Sequence, residues 1–310
     1  MKRLKNMKKV IVTTTINPVT ESINRFQHMK GWELVVVGDK KTPSDYYLDN
    51  GLYITPEMQE KYDKALSDAI GWNCIQRRNI GYLWAYDMGA DIIATVDDDN
   101  VALDGWGEDL IVGTEVDVAY YNSSDPVFDP IGLTNYPHLW HRGFPLQNVA
   151  KRVYPTKEIK KIRVDVQADF WNGDPDIDAV CRMIYAPNCT FDNTYFPFAT
   201  NTMSPFNSQN TFLHRSVMKD YFLFPGVGRM DDIWAAYYIE SLGYHVAYQK
   251  ASVRQDRNEH DLTKDMKAEY LGYEHNLNMV SDLKSDPQAI KKYIPESALR
   301  SFELYQKHFQ

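Results

Sequence analysis

The chain has 310 residues, of which 44% are hydrophobic and 13% aromatic, enough for a sizeable core in one large domain or two. Its formal net charge of −8 argues against a basic surface that binds nucleic acid. A ligand that carries phosphate must therefore be bound by individual cationic groups at its site. The three cysteines, Cys74, Cys181 and Cys189, are odd in number and lack a CxxC spacing. This pattern argues against a disulfide framework or a zinc site and favours a reducing cytoplasm.

The first nine residues are basic and lead directly into a β-branched run, without the apolar region and cleavage site of a signal peptide. No stretch approaches the roughly 18 apolar residues that span a bilayer. We therefore expect a cytoplasmic protein without a membrane span or a nucleic-acid partner, and both a monomer and a homo-oligomer remain open.

Apolar runs alternate with helical patterns through the first hundred residues. The predicted elements are a strand over residues 10–15, a helix over 21–30, a strand over 32–37, a turn and short strand over 45–54, a helix over 56–69, a helix opening at residues 77–79 and a strand over 92–96. This order predicts an α/β fold with a mostly parallel sheet and helices on both faces. Ligands bind at the carboxyl ends of the strands in such sheets.

The pattern is looser after residue 100. The predicted elements are strands over residues 116–121, 163–170, 211–214 and 245–249, a polar loop over 171–180, a loop or short strand over 196–208, a helix over 233–242 and a charged, largely helical tail from residue 258. The composition shows no linker. We expect one domain over residues 1–255 and a C-terminal helical extension over residues 256–310 that packs on it.

Asp97, Asp98 and Asp99 directly follow the strand predicted over residues 92–96. Adjacent carboxylates repel one another by roughly 1 to 4 kcal/mol per pair at about 4 Å, so we expect a cation to hold them. Mg²⁺ and Mn²⁺ are commonly bound by one or two carboxylates together with substrate phosphates. The alternative is a solvated acidic turn. The position at the sheet edge favours a site for a metal-bound nucleoside diphosphate.

Six segments carry a resemblance to known proteins. In chain order they are VVVGDKKTP (35–43), VDDDN (96–100), RGFPL (142–146), WNGDPDIDAV (171–180), GRMDDIWAAYYIESLGY (228–244) and RNEHDL (257–262). Together they resemble nucleotide-sugar glycosyltransferases of GT-A type, more closely the STELLO-like proteins and more distantly the plant reversibly glycosylated polypeptides, which are UDP-arabinopyranose mutases. The resemblance implies a Rossmann-like GT-A fold in which VDDDN takes the place of the DxD metal motif.

The resemblance implies a nucleotide pocket at the carboxyl ends of the first strands. The residues implied to contact the base, ribose or diphosphate are Thr13, Thr14, Thr15, Asp39, Arg78, Asp97 and Asp98. Asp39 could equally be a turn former and the threonines ordinary strand residues. Arg77 and Arg78 are predicted at a helix start, where amide groups and a guanidinium can both bind phosphate oxygens. One of the two arginines is expected to be a solvated surface charge, and Arg78 is preferred for the diphosphate.

Metal ligands are implied at Asp97, Asp99 and a late histidine. Related proteins place that histidine just before a Lys-Ala-Ser segment, but Tyr248 and Gln249 precede that segment here. His260 is the substitute, although a lone loop histidine is more often simply solvated. The expected metal is Mn²⁺ or Mg²⁺.

Asp231 and Asp232 are predicted at a helix start, where the ordinary role of an aspartate is capping. The resemblance places this pair in the acceptor pocket, with Asp232 as the general base and Asp231 hydrogen-bonded to the donor sugar. Further contacts to donor or acceptor are expected from Arg142, Asn172, Asp174, Asp176 and Arg257. The segment NGDPD could also be only a turn.

These features predict a metal-dependent glycosyltransferase that moves a sugar from a nucleoside diphosphate, with UDP the expected nucleotide, to a glycan or other hydroxyl acceptor. A role in glycan or cell-surface polysaccharide synthesis is expected. One alternative is a UDP-sugar pyranose/furanose mutase, in which Arg142 or Arg163 would be self-glycosylated. Another is a non-catalytic partner of a polysaccharide synthase.

Overall fold

The predicted alternation of strands and helices in the first hundred residues is confirmed. The computed structural model describes residues 7–256 and 261–310. Its first elements are β1 (Lys9–Thr15), α1 (Glu21–Phe26), β2 (Glu33–Gly38), β3 (Leu52–Ile54), α2 (Pro56–Tyr62), α3 (Lys64–Ile70), α4 (Arg78–Asp87) and β4 (Ile92–Val96). The single helix predicted over residues 56–69 is wrong. Asp63 is extended there and caps α3 by accepting a hydrogen bond from Leu66 N.

The second part of the chain adds longer crossovers and the C-terminal helices. Its elements are β5 (Asn100–Ala102), β6 (Glu115–Tyr121), β7 (Lys157–Arg163), β8 (Val166–Gly173), α5 (Ala179–Tyr185), β9 (Phe198–Thr200), β10 (Asn210–His214), α6 (Asp231–Ser241), β11 (Val246–Gln255), α7 (Leu262–Ser285) and α8 (Glu296–Gln306). The strand predicted over residues 163–170 is wrong in its bounds. Two strands meet there, and β8 continues into the predicted polar loop because it pairs with β11 as far as Gly173.

The strands form one sheet in the order β3-β2-β1-β4-β10-β8-β11-β9-β6-β7, with β5 paired to β11. The first four strands of this order are parallel, as predicted. Beyond them the sheet is mixed, because β10 is antiparallel to both β4 and β8 while β8 and β11 are parallel. The α/β class is therefore confirmed, and the parallel arrangement is confined to the N-terminal part.

Helix α4 lies unusually close to the parallel strands. A Cβ atom at Gly81 would stand 2.6 Å from side-chain atoms of both Val12 and Val37, so only glycine fits between helix and sheet. The carboxyl ends of β1, β2 and β4 lie at one edge because the three strands are parallel. The close approach brings the start of α4, with Arg78, to that same edge.

The C-terminal helices pack on the rest of the chain. Helix α8 lies against α3, and α7 lies against α5 and α6. His308 Nε2 is 2.8 Å from Asp63 Oδ2, and Tyr305 donates a hydrogen bond to Met218 O. None of the helices within residues 7–256 and 261–310 combines the length and the apolar character needed to cross a membrane.

Candidate functional site

A pocket of about 280 Å³ opens at the carboxyl ends of β1, β2 and β4. We call it the strand-edge pocket. Its lining residues are Thr14, Thr15, Ile16, Asn17, Val37, Asp39, Asn73, Cys74, Ile75, Arg77, Arg78, Asp97, Asp98 and Asp99. The structure thus brings together all the residues implied for the nucleotide except Thr13. Thr13 is fully buried and lies one residue further from the carboxyl end of β1 than Thr14.

Asp97 and Arg78 form a partly buried ion pair at the back of this pocket. Arg78 Nη2 donates to Asp97 Oδ1 at 2.7 Å, and Arg78 Nη1 donates to Ser208 O at 2.9 Å. Arg78 is only 1% exposed, as is Arg77, which donates to Gln59 and Ser67. The expectation that one of the two arginines is a solvated surface charge is therefore wrong. Burial instead makes Arg78 a fixed counter-ion for Asp97.

Asp98 connects the aspartate loop to the end of β1. Its Oδ2 accepts hydrogen bonds from Thr15 Oγ1 at 2.5 Å and from Asn17 Nδ2 at 3.0 Å, and its carbonyl accepts one from Thr20. These bonds hold the loop Asp97–Asp99 against the neighbouring strand. The loop is consequently a fixed part of the pocket wall, unlike a freely solvated acidic turn.

Asp39 organises the opposite wall. Its carboxylate accepts hydrogen bonds from the backbone N–H groups of Lys40 at 2.6 Å, Asn73 at 2.8 Å and Cys74 at 3.1 Å. Asn73 has a positive φ of 59°, a conformation that costs energy for most side chains but that asparagine tolerates. Asp39 thus fixes the shape of the loop that forms this side of the pocket, and a base contact by Asp39 stays a prediction.

The donor set of the strand-edge pocket suits a divalent metal that arrives with a ligand. Within residues 7–256 and 261–310, no group of three or more His, Cys, Asp or Glu side chains is placed to hold a metal ion. Mg²⁺ keeps several waters and is usually bound by one or two carboxylates plus substrate phosphates. The aspartates at 97–99 match such a shared site, and they do not form an all-protein cage. His260 and Arg257 lie outside the described residues.

A second pocket of about 180 Å³ adjoins the first, and both are lined by Ile75 and Asp97. We call it the inner pocket. Its other lining residues are Arg142, Asp176, Ser208, Gln209, Gly228, Arg229, Asp231, Asp232 and Gln255. These residues come from five separate parts of the chain. The prediction that Arg142, Asp176 and the Asp231–Asp232 pair share a site is consistent with this grouping.

Arg142 is the centre of the inner pocket. Its Nε donates to Asp176 Oδ1 at 2.8 Å, and its Nη1 and Nη2 donate to the two carboxylate oxygens of Asp232 at 3.0 and 3.2 Å. Burial alone raises the pKa of the Asp176 carboxyl, but the Arg142 guanidinium reverses the effect and lowers that pKa well below its usual range. The site therefore holds a fixed carboxylate–guanidinium–carboxylate array.

The Asp232 carboxylate is surrounded by hydrogen-bond donors. Besides the two bonds from Arg142, its oxygens accept from Ser208 N at 2.9 Å, from Ser208 Oγ at 3.3 Å and from Ile233 N at 2.9 Å. These five donors hold the carboxylate in place. Asp232 is placed to orient Arg142 and the start of α6.

Asp231 differs from its neighbour. Its Oδ2 accepts a hydrogen bond from Gln76 Nε2 at 2.7 Å, and its side chain lines the inner pocket. Burial, together with the charge of Asp232, raises the pKa of Asp231 to about 7. A carboxylate with a pKa near 7 is suited to general-base catalysis at neutral pH. The raised pKa makes Asp231 a candidate general base.

Two of the residues predicted for sugar contacts are not in either pocket. Asn172 Oδ1 accepts from Phe191 N at 3.1 Å, and Asp174 pairs with Arg182. Asn172 lies in β8 and connects it to the segment at Phe191, whereas Asp174 holds the loop that follows β8, as in the turn alternative. A direct contact with sugar by either residue has no support from this geometry.

Sequence reasoning missed several lining residues. Asn73 and Cys74 stand in a loop without a motif, and Gln76, which contacts Asp231 without lining a pocket, immediately precedes the two arginines. Ser208 and Gln209 come from a segment predicted as irregular, which β10 follows. Contacts with residues distant in sequence, such as Asp39 for the loop at residues 73–74, hold these residues at the site, so no local signal indicates them.

Comparison with curated proteins found two relatives from Arabidopsis thaliana, named probable glycosyltransferases STELLO2 and STELLO1. Each is 27% identical to the chain over 276 residues, which cover 81% of this chain and 36% of the relative. The chain thus spans about a third of the length of the curated relatives that it matches. No protein-family model matches the sequence.

Among solved structures, similar folds include glucosyl-3-phosphoglycerate synthase from Mycobacterium tuberculosis with Mn²⁺, UDP and phosphoglyceric acid. It has a TM-score of 0.45 and 12% identity, and the match covers 94% of this chain and 81% of that one. The same enzyme with Mn²⁺, UDP-glucose and glycerol 3-phosphate has a TM-score of 0.43 and 11% identity, with 94% and 82% covered. These scores are too low to support a function. The resemblance to STELLO glycosyltransferases that the sequence motifs indicated is confirmed over four-fifths of the chain.

Proposed function

We propose that the chain transfers a sugar from a nucleoside diphosphate to a hydroxyl acceptor. The observation that carries the proposal is that the strand-edge pocket and the inner pocket meet at Asp97 and Ile75. A nucleotide in the first pocket would direct its terminal sugar into the second. The second pocket contains a carboxylate of raised pKa, which is the group that activation of an acceptor hydroxyl requires.

The strand-edge pocket would bind the nucleotide. Thr14, Thr15 and the Asp39-supported loop would surround the base and ribose, with UDP proposed from the STELLO resemblance. Asp97 and Asp99 would hold Mn²⁺ or Mg²⁺ together with the diphosphate. When bound, the metal offsets the diphosphate charge and stabilises the leaving nucleotide. The ion pair with Arg78 keeps Asp97 in place before the ligand arrives.

The inner pocket would carry the transfer. Asp231 would accept the proton of the acceptor hydroxyl while the acceptor oxygen attacks the anomeric carbon and the nucleoside diphosphate leaves. Asp232 and Asp176 would fix Arg142, whose position shapes the sugar-facing wall. This assignment moves the general base from Asp232, which the resemblance implied, to Asp231. A glycan acceptor and a part in polysaccharide synthesis are proposed from the STELLO resemblance alone.

The mutase alternative fits the described residues less well. Self-glycosylation needs an arginine that is free to react, but the guanidinium nitrogens of Arg142 donate to Asp176, to Asp232 and to Arg229 O. The Arg163 side chain is 48% exposed, on strand β7 at the end of the sheet. It lines neither the strand-edge pocket nor the inner pocket. The raised pKa of Asp231 favours a catalytic site over the non-catalytic alternative, because perturbed pKa values are concentrated at functional sites.

Nucleotide binding is tested by titrating UDP into the chain in a calorimeter with and without Mn²⁺. We expect Mn²⁺-dependent binding that Asp97→Asn weakens at least about tenfold, because a ligand charge is lost while the side-chain shape is kept. Asp104→Asn is the matched control, since Asp104 is an exposed aspartate in the next loop. A chain that binds no nucleoside diphosphate under these conditions would refute the proposal.

Catalysis is tested separately by screening UDP-sugars with Mn²⁺ and following release of UDP. Donor turnover that depends on added hydroxyl acceptors supports transfer. A change in the ring form of the sugar without any acceptor would support the mutase, and donor binding without turnover would support the non-catalytic partner.

A further inference from the structure

The inner pocket has a surplus of negative charge. Four aspartates and two arginines line it, and its remaining lining residues within 7–256 and 261–310 are uncharged. The charged lining residues are Asp97, Asp176, Asp231, Asp232, Arg142 and Arg229. Whether an anionic group could bind here therefore depends on how far the two arginines are already paired.

Arg142 is paired with two carboxylates of the pocket itself. It is 7% exposed, its Nε donates to Asp176 Oδ1 at 2.8 Å and its Nη1 donates to Asp232 Oδ1 at 3.0 Å. Its Nη1 also donates to Arg229 O. One positive charge is thus shared between two buried negative charges, which leaves no surplus cationic charge to stabilise an anionic ligand.

Arg229 is paired in the same way with helix α7. Its Nε donates to Glu269 Oε1 at 2.9 Å, and its Nη1 lies 3.6 Å from Asp265 Oδ1. Recognition of a carboxylate or phosphate by arginine relies on the donors of its guanidinium fork. In the part of the wall that the structure describes, both guanidinium groups instead donate to carboxylates of the chain.

The hydroxyl groups of a sugar match this wall. An ionised carboxylate only accepts hydrogen bonds, and a hydroxyl group can donate to it. A carboxylate on the sugar has no proton to donate, and the aspartates would repel it. Ser208, Gln209 and Gln255 add a neutral hydroxyl and two amides, which also bind hydroxyl groups. The charge of the proposed metal leaves this balance in place, because the diphosphate that it accompanies offsets it.

We propose that the inner pocket selects a donor whose sugar carries no negative charge, such as a hexose or an N-acetylhexosamine, and rejects a uronic acid. This inference rests on the proposed function, since it names the class of sugar that the inner pocket receives. It follows from the pairing of both arginines and does not depend on which aspartate acts as the base.

The test compares UDP-glucose with UDP-glucuronate, and UDP-galactose with UDP-galacturonate, by calorimetric titration of the full chain with Mn²⁺. Within each pair the sugars differ only at C6, where a carboxylate replaces a hydroxymethyl group of similar size. We expect the uncharged member of at least one pair to bind about tenfold more tightly than its uronate, or better, because juxtaposed like charges are costly.

UDP alone is titrated beside the two pairs to separate this proposal from the proposed function. Loss of binding by UDP and by every UDP-sugar would refute the proposed function. Normal UDP binding together with uronates that bind as tightly as their uncharged partners, or more tightly, would overturn the selection by charge.

Ile75→Lys provides a second test that does not alter a buried residue. Ile75 is 40% exposed and lines both pockets, so a lysine there adds a cation where the two pockets meet. The variant should narrow the difference within a pair roughly two- to fivefold. Ile16→Lys is the matched control, at an isoleucine that is 50% exposed and lines the strand-edge pocket but not the inner pocket, and it should leave the difference unchanged. An equal effect of the two substitutions would contradict the proposal.

Discussion

The strand-edge pocket and the inner pocket adjoin each other but are built differently. The strand-edge pocket uses residues 14–99, in which consecutive strands and helices place their ends at one edge of the sheet. The inner pocket joins segments up to 180 residues apart in sequence, from Ile75 to Gln255. The first pocket follows from local order along the chain, whereas the second depends on long-range packing.

The two pockets also differ in how their charges are held. In the strand-edge pocket, Asp39 and Asp98 are fixed mainly by backbone amides and short polar side chains. In the inner pocket, Arg142 is fixed by two buried carboxylates. Breaking a buried ion pair costs much more than losing a single hydrogen bond. The inner pocket should therefore be the more sensitive of the two to substitution.

The largest effect is expected from Arg142→Met. The substitution leaves Asp176 and Asp232 buried without their cation, which should lower the free energy of unfolding by about 3–5 kcal/mol. Urea denaturation measures the change. The control is Arg163→Met, because Arg163 is 48% exposed and its 3.4 Å ion pair with Asp165 should contribute less than about 1 kcal/mol. Similar losses in the two variants would contradict the difference between the pockets.

Asp231→Asn should lower the transfer rate by about 10²–10⁴-fold while leaving UDP affinity unchanged, because the amide cannot accept the hydroxyl proton. The rate of the parent chain should rise with pH through about 7 and then level off, since the base acts in its ionised form. Steady-state rates between pH 5.5 and 9 measure both effects. A variant that transfers sugar normally would remove Asp231 from the proposed mechanism.

The same substitution has a predictable effect on stability. A carboxyl whose pKa is raised by folding binds its proton more tightly in the folded state, so its contribution to stability falls as pH rises from its usual range towards 7. Asp231→Asn should therefore be at least as stable as the parent at pH 8. That outcome would separate loss of the base from loss of the fold.

Asp39→Ala should have an intermediate effect in the strand-edge pocket. Loss of the acceptor for Lys40 N, Asn73 N and Cys74 N should lower the free energy of unfolding by about 2 kcal/mol and weaken UDP binding. Denaturation and calorimetry measure the two quantities. Asp45→Ala, at an exposed aspartate nearby, should change stability by less than about 0.5 kcal/mol. An effect larger than that of Arg142→Met would reverse the order of sensitivity proposed for the pockets.

Gln76→Leu should have the smallest effect. Its Nε2 donates to Asp231 Oδ2 and favours the charged form of that carboxylate, so the substitution should move the midpoint of the pH–rate profile upwards by up to about one pH unit. UDP affinity serves as the internal control and should not change. A lower rate with an unmoved midpoint would show that Gln76 acts only on packing.

Much of the strand-edge pocket was predictable because its signals are local. The strand over residues 92–96 was predicted with its observed bounds, and the aspartates after it lie at the sheet edge as expected. Thr13 does not line the pocket, since it is fully buried within β1, and its burial depends on packing that the sequence does not specify. The prediction that one of the two arginines is exposed to solvent was also wrong. The burial of Arg77 depends on Gln59 and Ser67, which come from helices α2 and α3.

By itself, the sequence determined the α/β class, the order of the N-terminal elements and the aspartates at the strand edge, because alternating apolar runs fix these locally. Only the tertiary structure decided that β10 runs antiparallel between β4 and β8, and that Arg142 binds both Asp176 and Asp232. It also separated the two adjacent aspartates of α6, giving five hydrogen-bond donors to Asp232 and a raised pKa to Asp231. Identical side chains differ in this way because their basicity depends on burial and on the groups that contact them, which no local pattern specifies.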